Sequence, residues 1–231
     1  MERSAAGTRL LDCMRRAADA GLSRGSAGNA SMRCAAGMWI TPSGIEPQVM
    51  QATDTVTLDL QGRVLEGTLR PSSEWPMHAA IYRERPDALA IVHCHSRHAT
   101  ALACCGRAIP AFHYMVAVAG GESIRCAPYA LFGSTELATH ALRALEGRRA
   151  CLLANHGQLA LGATPEAALA LALEVEELAA QYVAALAAGE PRLLDAAQMA
   201  AVIARFADYG PGRGDQPVQS GSRSSCDGRI V

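Results

Sequence analysis

The stretch Ile91–His98, "IVHCHSRH", places three histidines within six positions directly after the apolar run "ALAIV". Side chains alternate along a strand, so His93 and His95 face one side while Cys94 faces the other. Two imidazoles on one strand face can converge on one ion, and a divalent metal needs at least a third protein ligand. Among the remaining histidines, His156 has the matching setting: it ends the apolar run "ACLLAN" and precedes Gly157. Strand ends in α/β proteins meet at one edge, where ligands bind. An all-imidazole shell suits zinc, and an open fourth position makes the ion catalytic rather than structural. His98 lies past the strand and reads as a supporting or surface residue, and His140 as a structural one on an amphipathic helix. His78 is open to either reading.

A second set of residues suits an anion. Gly28-Asn29, Ser43-Gly44 and Ser72-Ser73 are three short loops rich in hydroxyls and accessible N–H groups. Each alone is an ordinary turn or cap. Together, with Ser72-Ser73 opening a helix whose N-terminus attracts phosphate, they point to a phosphorylated small molecule. Glu74 follows in the first helical turn, where a carboxylate is favoured by the helix dipole. Beside a metal, the same carboxylate becomes a candidate general base.

The elements that must position these groups are legible from periodicity and punctuation. Residues 5–20 carry apolar side chains at helical spacing, followed by the Gly/Ser-rich loop "GLSRGSAGNAS". "MWITPSG" reads as a short strand ending at a turn over Pro42–Gly44, and "TVTLDLQGRVLEG" as a hairpin about Gln61-Gly62. "SSEWPMHAAIYRER" reads as a helix with Pro76 in its first turn, stopped at Pro86-Asp87. "ALAIVHCH" and "ACLLANHG" are buried strands, and further helices are expected at about 97–105, 134–146, 165–188 and 196–208. The mixture predicts a layered α/β domain with a partly antiparallel sheet.

A chain of 231 residues, half of them hydrophobic, is long enough for one domain with a full core. Its net charge of −1 provides no field for nucleic acid or an anionic membrane. The N-terminal segment has no apolar run of signal or membrane-spanning length, so a cytoplasmic protein is expected. The eight cysteines are scattered through apolar segments without a CxxC pair, which argues against disulfides and cysteine-bound zinc. The chain contains no lysine, so a Schiff-base mechanism is excluded. From Gly210 onward, the Gly/Ser/Pro-rich sequence lacks periodicity, and a mobile tail over 210–231 is expected after a single catalytic domain over 1–209. The Arg213-Gly214-Asp215 triplet in that tail is read as a chance match.

These residues stand in strings that resemble the class II aldolase/adducin family. "GLSRGSAGNASMR", "ITPSGI", "PSSEWPMHAAIYRERPDA", "VHCHSRHATAL", "IPAFHYMVAVAGGESIRCAPYALFG" and "LLANHGQLALG" occur in the family's order, from the N-terminus to about Gly210. The resemblance implies a three-layer class II aldolase fold, α/β in class, with a central, largely antiparallel β-sheet flanked by α-helices. It implies a homotetramer with active sites between subunits and one Zn2+ per subunit held by His93, His95 and His156. Glu74 would be the catalytic carboxylate and could also occupy the fourth zinc position before substrate binds. The phosphate would be held by Gly28, Asn29, Ser43, Gly44, Ser72 and Ser73. Tyr114 would be a proton donor and Phe132 an apolar wall residue, both from a neighbouring subunit, and Tyr209 would sit on a mobile C-terminal segment.

The activity implied is reversible cleavage of a ketose 1-phosphate to dihydroxyacetone phosphate and a small aldehyde. L-fuculose 1-phosphate and 5-deoxy- or 5-methylthio-pentulose 1-phosphates are the candidate substrates, the latter pair placing the enzyme in salvage. The alternatives are a pentulose-5-phosphate 4-epimerase or related sugar-phosphate decarboxylase and, from a different class, a non-enzymatic adducin-like assembly domain. "HSRHAT" is similar to the epimerases, but they carry Asp where this chain has Glu74.

Overall fold

A computed structural model describes residues 2–208 of the chain; Tyr209 and the expected tail over 210–231 lie outside the described residues. The chain opens with helix α1 (Arg3–Asp19) and continues into strands β1 (Asn29–Cys34), β2 (Gly37–Ile40), β3 (Val56–Leu58) and β4 (Val64–Glu66). Helix α2 (Trp75–Glu84), strand β5 (Ala90–Cys94) and helix α3 (Arg97–Cys104) follow. A 3-10 segment spans Tyr114–Ala119, before β6 (Cys126–Ala127), α4 (Thr135–Ala144), β7 (Ala150–Leu153) and β8 (Gly157–Gly162). Helices α5 (Pro165–Ala188) and α6 (Ala196–Asp208) close the described chain.

The strands form one eight-stranded sheet in the order β4-β3-β2-β1-β5-β8-β7-β6. Every pairing is antiparallel except the short β6–β7 edge. Strands β5, β7 and β8 are buried along nearly their whole length, which explains their largely apolar sequences. Ala90, Val92 and Cys94 join the core built with α1, α3 and α5. Ile91 joins the opposite core, with α2 and α4. Cys94 therefore turns away from His93, as strand alternation requires.

The expected hairpin is present as β3 and β4, with Gly62 at a left-handed φ of 92° in its turn. A side chain is also excluded there because a Cβ would enter the Trp75 ring. Two parts of the sequence expectation change. The loop expected over residues 21–31 gives way at Asn29 to β1, a central strand between β2 and β5. Polar Asn29 and Ser31 disguise this strand, because one of its faces carries hydrogen-bonding side chains into the α2 layer. The turn after Leu153 leads directly into β8, which pairs with both β5 and β7.

Candidate active site

His93 is the fourth residue of β5 and is fully buried, while His95 lies one residue beyond the strand and is exposed. The β5–β8 register pairs His93 with Leu159, which brings the β7–β8 turn and His156 alongside. That turn needs Asn155 in a left-handed conformation, φ 54°, which asparagine tolerates better than most residues. Gly157 completes it, because a Cβ there would lie 2.9 Å from the His95 ring. The three imidazole rings then stand with centroids 4.7–5.0 Å apart, and the Nε2 atoms of His93 and His95 are separated by 3.0 Å.

Glu74 is the N-cap residue of α2, but its side chain does not cap the helix. It extends to the histidines, with Oε2 3.0 Å from His93 Nε2 and Oε1 3.3 Å from His156 Nε2. Asn29 Nδ2 donates to Oε2 at 2.9 Å, and the Ser72 hydroxyl accepts from the Glu74 N–H at 3.3 Å. The loops that carry the other polar residues are tied together by main-chain bonds, Ser43 N–H to Arg70 O and Ser72 N–H to Thr41 O. Gly28 packs where a Cβ would come within 2.8 Å of the His93 carbonyl oxygen, so this loop lies against β5 only with glycine.

One donor set is thereby aimed at one point. Ligand atoms from Glu74, His93, His95 and His156 all lie within 4.8 Å of one another. His93 Nδ1 donates to the Gln158 carbonyl at 2.8 Å, which leaves its Nε2 facing the cluster. Partial desolvation of the rings and neighbouring His93 push His95 and His156 down to about 4, so both keep free lone pairs at neutral pH. Burial opposes the charged form of His93, but the adjoining Glu74 carboxylate overrides it and raises the pKa. Burial likewise opposes ionisation of Glu74, and His93 and His156 override it, holding the carboxyl far below its usual range. The cluster thus favours one positive charge at its centre. Glu74 Oε1 is buried without a hydrogen-bond partner among the described residues. Three nitrogens, one carboxylate and a favoured central charge fit a divalent metal ion.

Residues 8–183 match the family described as Class II Aldolase and Adducin N-terminal domain. The chain belongs to that family. It is 51% identical over 201 residues to a 5-methylthioribulose-1-phosphate/5-deoxyribulose-1-phosphate aldolase of Rhodospirillum rubrum, covering 87% of this chain and 90% of the relative. It is 46% identical over 211 residues to the L-fuculose phosphate aldolase of Escherichia coli K12, covering 91% and 98%. A solved L-fuculose 1-phosphate aldolase is similar with a TM-score of 0.86 and 41% identity, covering 90% of this chain and 98% of that one. The chain is accordingly a carbon–carbon lyase of the class II aldolase type. The assembly-domain alternative is set aside.

In this aldolase, a cavity of about 390 Å³ opens over the cluster. Gly28, Asn29, Ser43, Gly44, Ser72 and Ser73 line it together with Glu74, His95 and His156. Phe132 lines the cavity of its own chain, which corrects the expectation that it reaches across from a neighbour. Gly133 allows that position: its φ is 73°, and the Ser73 carbonyl oxygen would lie 2.6 Å from a Cβ. Tyr114 is not in this cavity; it is half exposed in a separate groove and stacks on Phe206. His78 does not join the ligand cluster, His98 pairs with Glu176 at 2.8 Å, and His140 Nδ1 meets the Pro128 carbonyl. Sequence reasoning missed Asn155 and Tyr129 in the cavity wall. The "NHG" turn carried the signal for Asn155, and nothing local marked Tyr129. No helix among the described residues is long and apolar enough to cross a membrane.

Proposed function

We propose that the chain reversibly cleaves a ketose 1-phosphate to dihydroxyacetone phosphate and a small aldehyde, with zinc held by His93, His95, His156 and, before substrate binds, Glu74. The observation that carries this reading is the Glu74 carboxylate, 3.0 and 3.3 Å from two imidazoles, beneath a cavity walled by hydroxyls and loop N–H groups. An all-imidazole shell favours zinc among the divalent ions. When bound, the ion would act as a Lewis acid for negative charge developing on the substrate oxygens beside the cleaved bond.

The chain's own residues do the rest. Gly28, Asn29, Ser43, Gly44, Ser72 and Ser73 bind the phosphate and fix the dihydroxyacetone half above Glu74. In the condensation direction Glu74 takes the C3 proton, while Asn29 holds Oε2 and leaves Oε1 for the transfer. Tyr114 of a neighbouring subunit in a homotetramer protonates the aldehyde oxygen. Phe132 and Tyr129, both about 60% exposed on the cavity rim, give an apolar wall. Such a wall suits the methyl or methylthio terminus of a 5-deoxy- or 5-methylthio-pentulose 1-phosphate, and L-fuculose 1-phosphate shares the dihydroxyacetone half. A soluble sugar-phosphate substrate places the enzyme in the cytoplasm.

The reading is tested by incubating the zinc-loaded protein with the three ketose phosphates and comparing kcat/KM for release of dihydroxyacetone phosphate. Release from each is expected, with a spread set by ~1–3 kcal/mol of apolar contact. An epimerised pentulose phosphate without net cleavage would sink the proposal. Glu74→Gln is expected to keep zinc through the three histidines and to lose most proton exchange at C3 of dihydroxyacetone phosphate. Full exchange in that variant would remove Glu74 as the base.

A further inference from the structure

Asn29, Ser31 and Arg33 alternate along one face of β1, and Glu74, His78 and Tyr82 recur every four residues from the start of α2. Four helical residues rise about 6.0 Å and two strand residues about 6.6 Å, so the two series stay in step. The contacts follow that match. Asn29 Nδ2 donates to Glu74 Oε2 at 2.9 Å. The Ser31 hydroxyl lies 2.7 Å from His78 Nδ1 and 2.8 Å from the Tyr82 hydroxyl. Arg33 donates to the Tyr82 carbonyl at 2.6 Å and stacks its guanidinium 4.8 Å from the Tyr82 ring centroid.

This seam runs through an interior that is otherwise apolar. Ser31 and His78 are completely buried and Tyr82 nearly so, flanked by Ala79, Ala80 and Ile81 of the core between α2 and the sheet. His78 Nε2 is buried with no hydrogen-bond partner among the described residues. An unsatisfied imidazole nitrogen costs free energy, so an apolar residue at position 78 would serve stability better. What the polar rungs add is direction. Hydrophobic burial is non-directional, and the small Ala79 and Ala80 side chains do little to stop α2 from sliding. A slip of one residue would lift Glu74 by about 1.5 Å and turn it by about 100°.

We propose that Ser31, His78 and Tyr82 are positioning residues for Glu74, fixing the height and rotation of α2 on β1 so that the carboxylate meets the substrate proton. The inference rests on the reading of Glu74 as the base. Proton transfer needs the two groups within about 2.6–3.2 Å, and a misplacement of about 1 Å costs on the order of 10²-fold.

The test measures C3 proton exchange of dihydroxyacetone phosphate by the zinc-loaded protein, and zinc affinity by chelator competition. His78→Leu is expected to lower the exchange kcat by roughly 10–100-fold, with KM within about threefold of wild type and zinc still held by the three histidines. His78→Asn, whose amide can stand in place of Nδ1, is expected to recover the rate to within about fivefold of wild type. Exchange by His78→Leu within about twofold of wild type overturns the proposal, as does an equal fall in the Asn and Leu variants. If His78→Leu does not fold, Ser31→Ala removes both central hydrogen bonds with little change of volume. Wild-type exchange in that variant overturns the proposal, and a fall of about tenfold or more with zinc still bound by the three histidines supports it. Glu74→Gln run alongside separates the two levels. Full exchange there removes the base assignment itself, whereas its loss together with normal exchange in His78→Leu overturns the seam alone.

Discussion

The cavity over Glu74 and the groove beside Tyr114 are built on opposite terms. Around Glu74, ligand atoms from the N-terminus of α2, from β5 and the residue just after it and from the β7–β8 turn converge within 4.8 Å of one another, Asn29 of β1 bonds the carboxylate, and three short loops close the wall. The Tyr114 groove, about 620 Å³, lies between the 3-10 segment and α6. Its lining is largely apolar, with Arg205 the charged member. Tyr114 is half exposed there, with its ring 6.4 Å from Phe206 at 16°. Only a small core of Ala111, Ala117 and Met199 supports the region. Charge and proton transfer need fixed distances, and one chain supplies these through crossing hydrogen bonds. Apolar burial is non-directional, so the groove is held by contact area rather than by exact angles.

The largest effect should come from the cavity side of this contrast. His95 is the most exposed of the three imidazoles and belongs to no regular element, so its removal tests the ligand set with little damage to the core. His95→Ala is expected to weaken zinc binding by about 100-fold or more, since loss of a ligand exceeds the ~10–100-fold cost of losing a supporting partner. Folding stability of the metal-free protein should move by less than about 1 kcal/mol, as for other exposed substitutions. Chelator competition and thermal unfolding check both. Unchanged zinc affinity would break the cluster's assignment as a metal centre.

How far the sequence reveals each region follows from the same physics. His93, His95 and His156 were legible because strand alternation and apolar run-ends are local signals, and the described cluster contains all three. Glu74 was visible as a first-turn carboxylate, but its distance to the histidines depends on how α2 lies on β1, a tertiary fact. The helices at α3, α4, α5 and α6 fell close to their expected positions because their periodicity is strong. β1 was hidden because a strand with polar residues on one buried face imitates a loop. His78 stayed ambiguous for the same reason: its partner Ser31 sits 47 positions away. Phe132 was placed across a subunit boundary by resemblance, whereas the Gly133 turn folds it over its own cavity. Tyr209 lies outside the described residues.

The groove side is tested by separating proton exchange from bond cleavage. With Tyr114 as the donor to the aldehyde oxygen, Tyr114→Phe should slow cleavage of a ketose 1-phosphate by roughly 10²-fold, within the range for general acid–base groups. Exchange at C3 of dihydroxyacetone phosphate needs no aldehyde and should stay within about twofold of wild type. Equal losses in the two reactions would show that Tyr114 supports the cavity rather than completing it. Mixing Tyr114→Phe with Glu74→Gln sharpens the point. If the two residues act across a subunit boundary, hybrid oligomers pair an intact Glu74 with an intact Tyr114 and regain cleavage that neither variant has alone.

The smallest expected effect lies on the rim of the cavity, at Phe132. Its ring is 60% exposed on the cavity rim, so truncation removes apolar contact with little cost to the core. Phe132→Ala should leave C3 exchange and zinc affinity unchanged, because the residue belongs neither to the ligand cluster nor to the residues proposed for phosphate. The loss belongs to the aldehyde half alone. One apolar contact discriminates by ~1–3 kcal/mol, and a rim residue stands at the lower end, giving about a fivefold to tenfold fall in kcat/KM for a 5-methylthio-pentulose 1-phosphate. L-fuculose 1-phosphate, with a hydroxyl on its aldehyde half, should lose less. The ratio of the two specificity constants is therefore the sensitive readout, since any general disturbance of the cavity cancels in it. A constant ratio would take Phe132 out of substrate selection and leave the apolar wall to Tyr129.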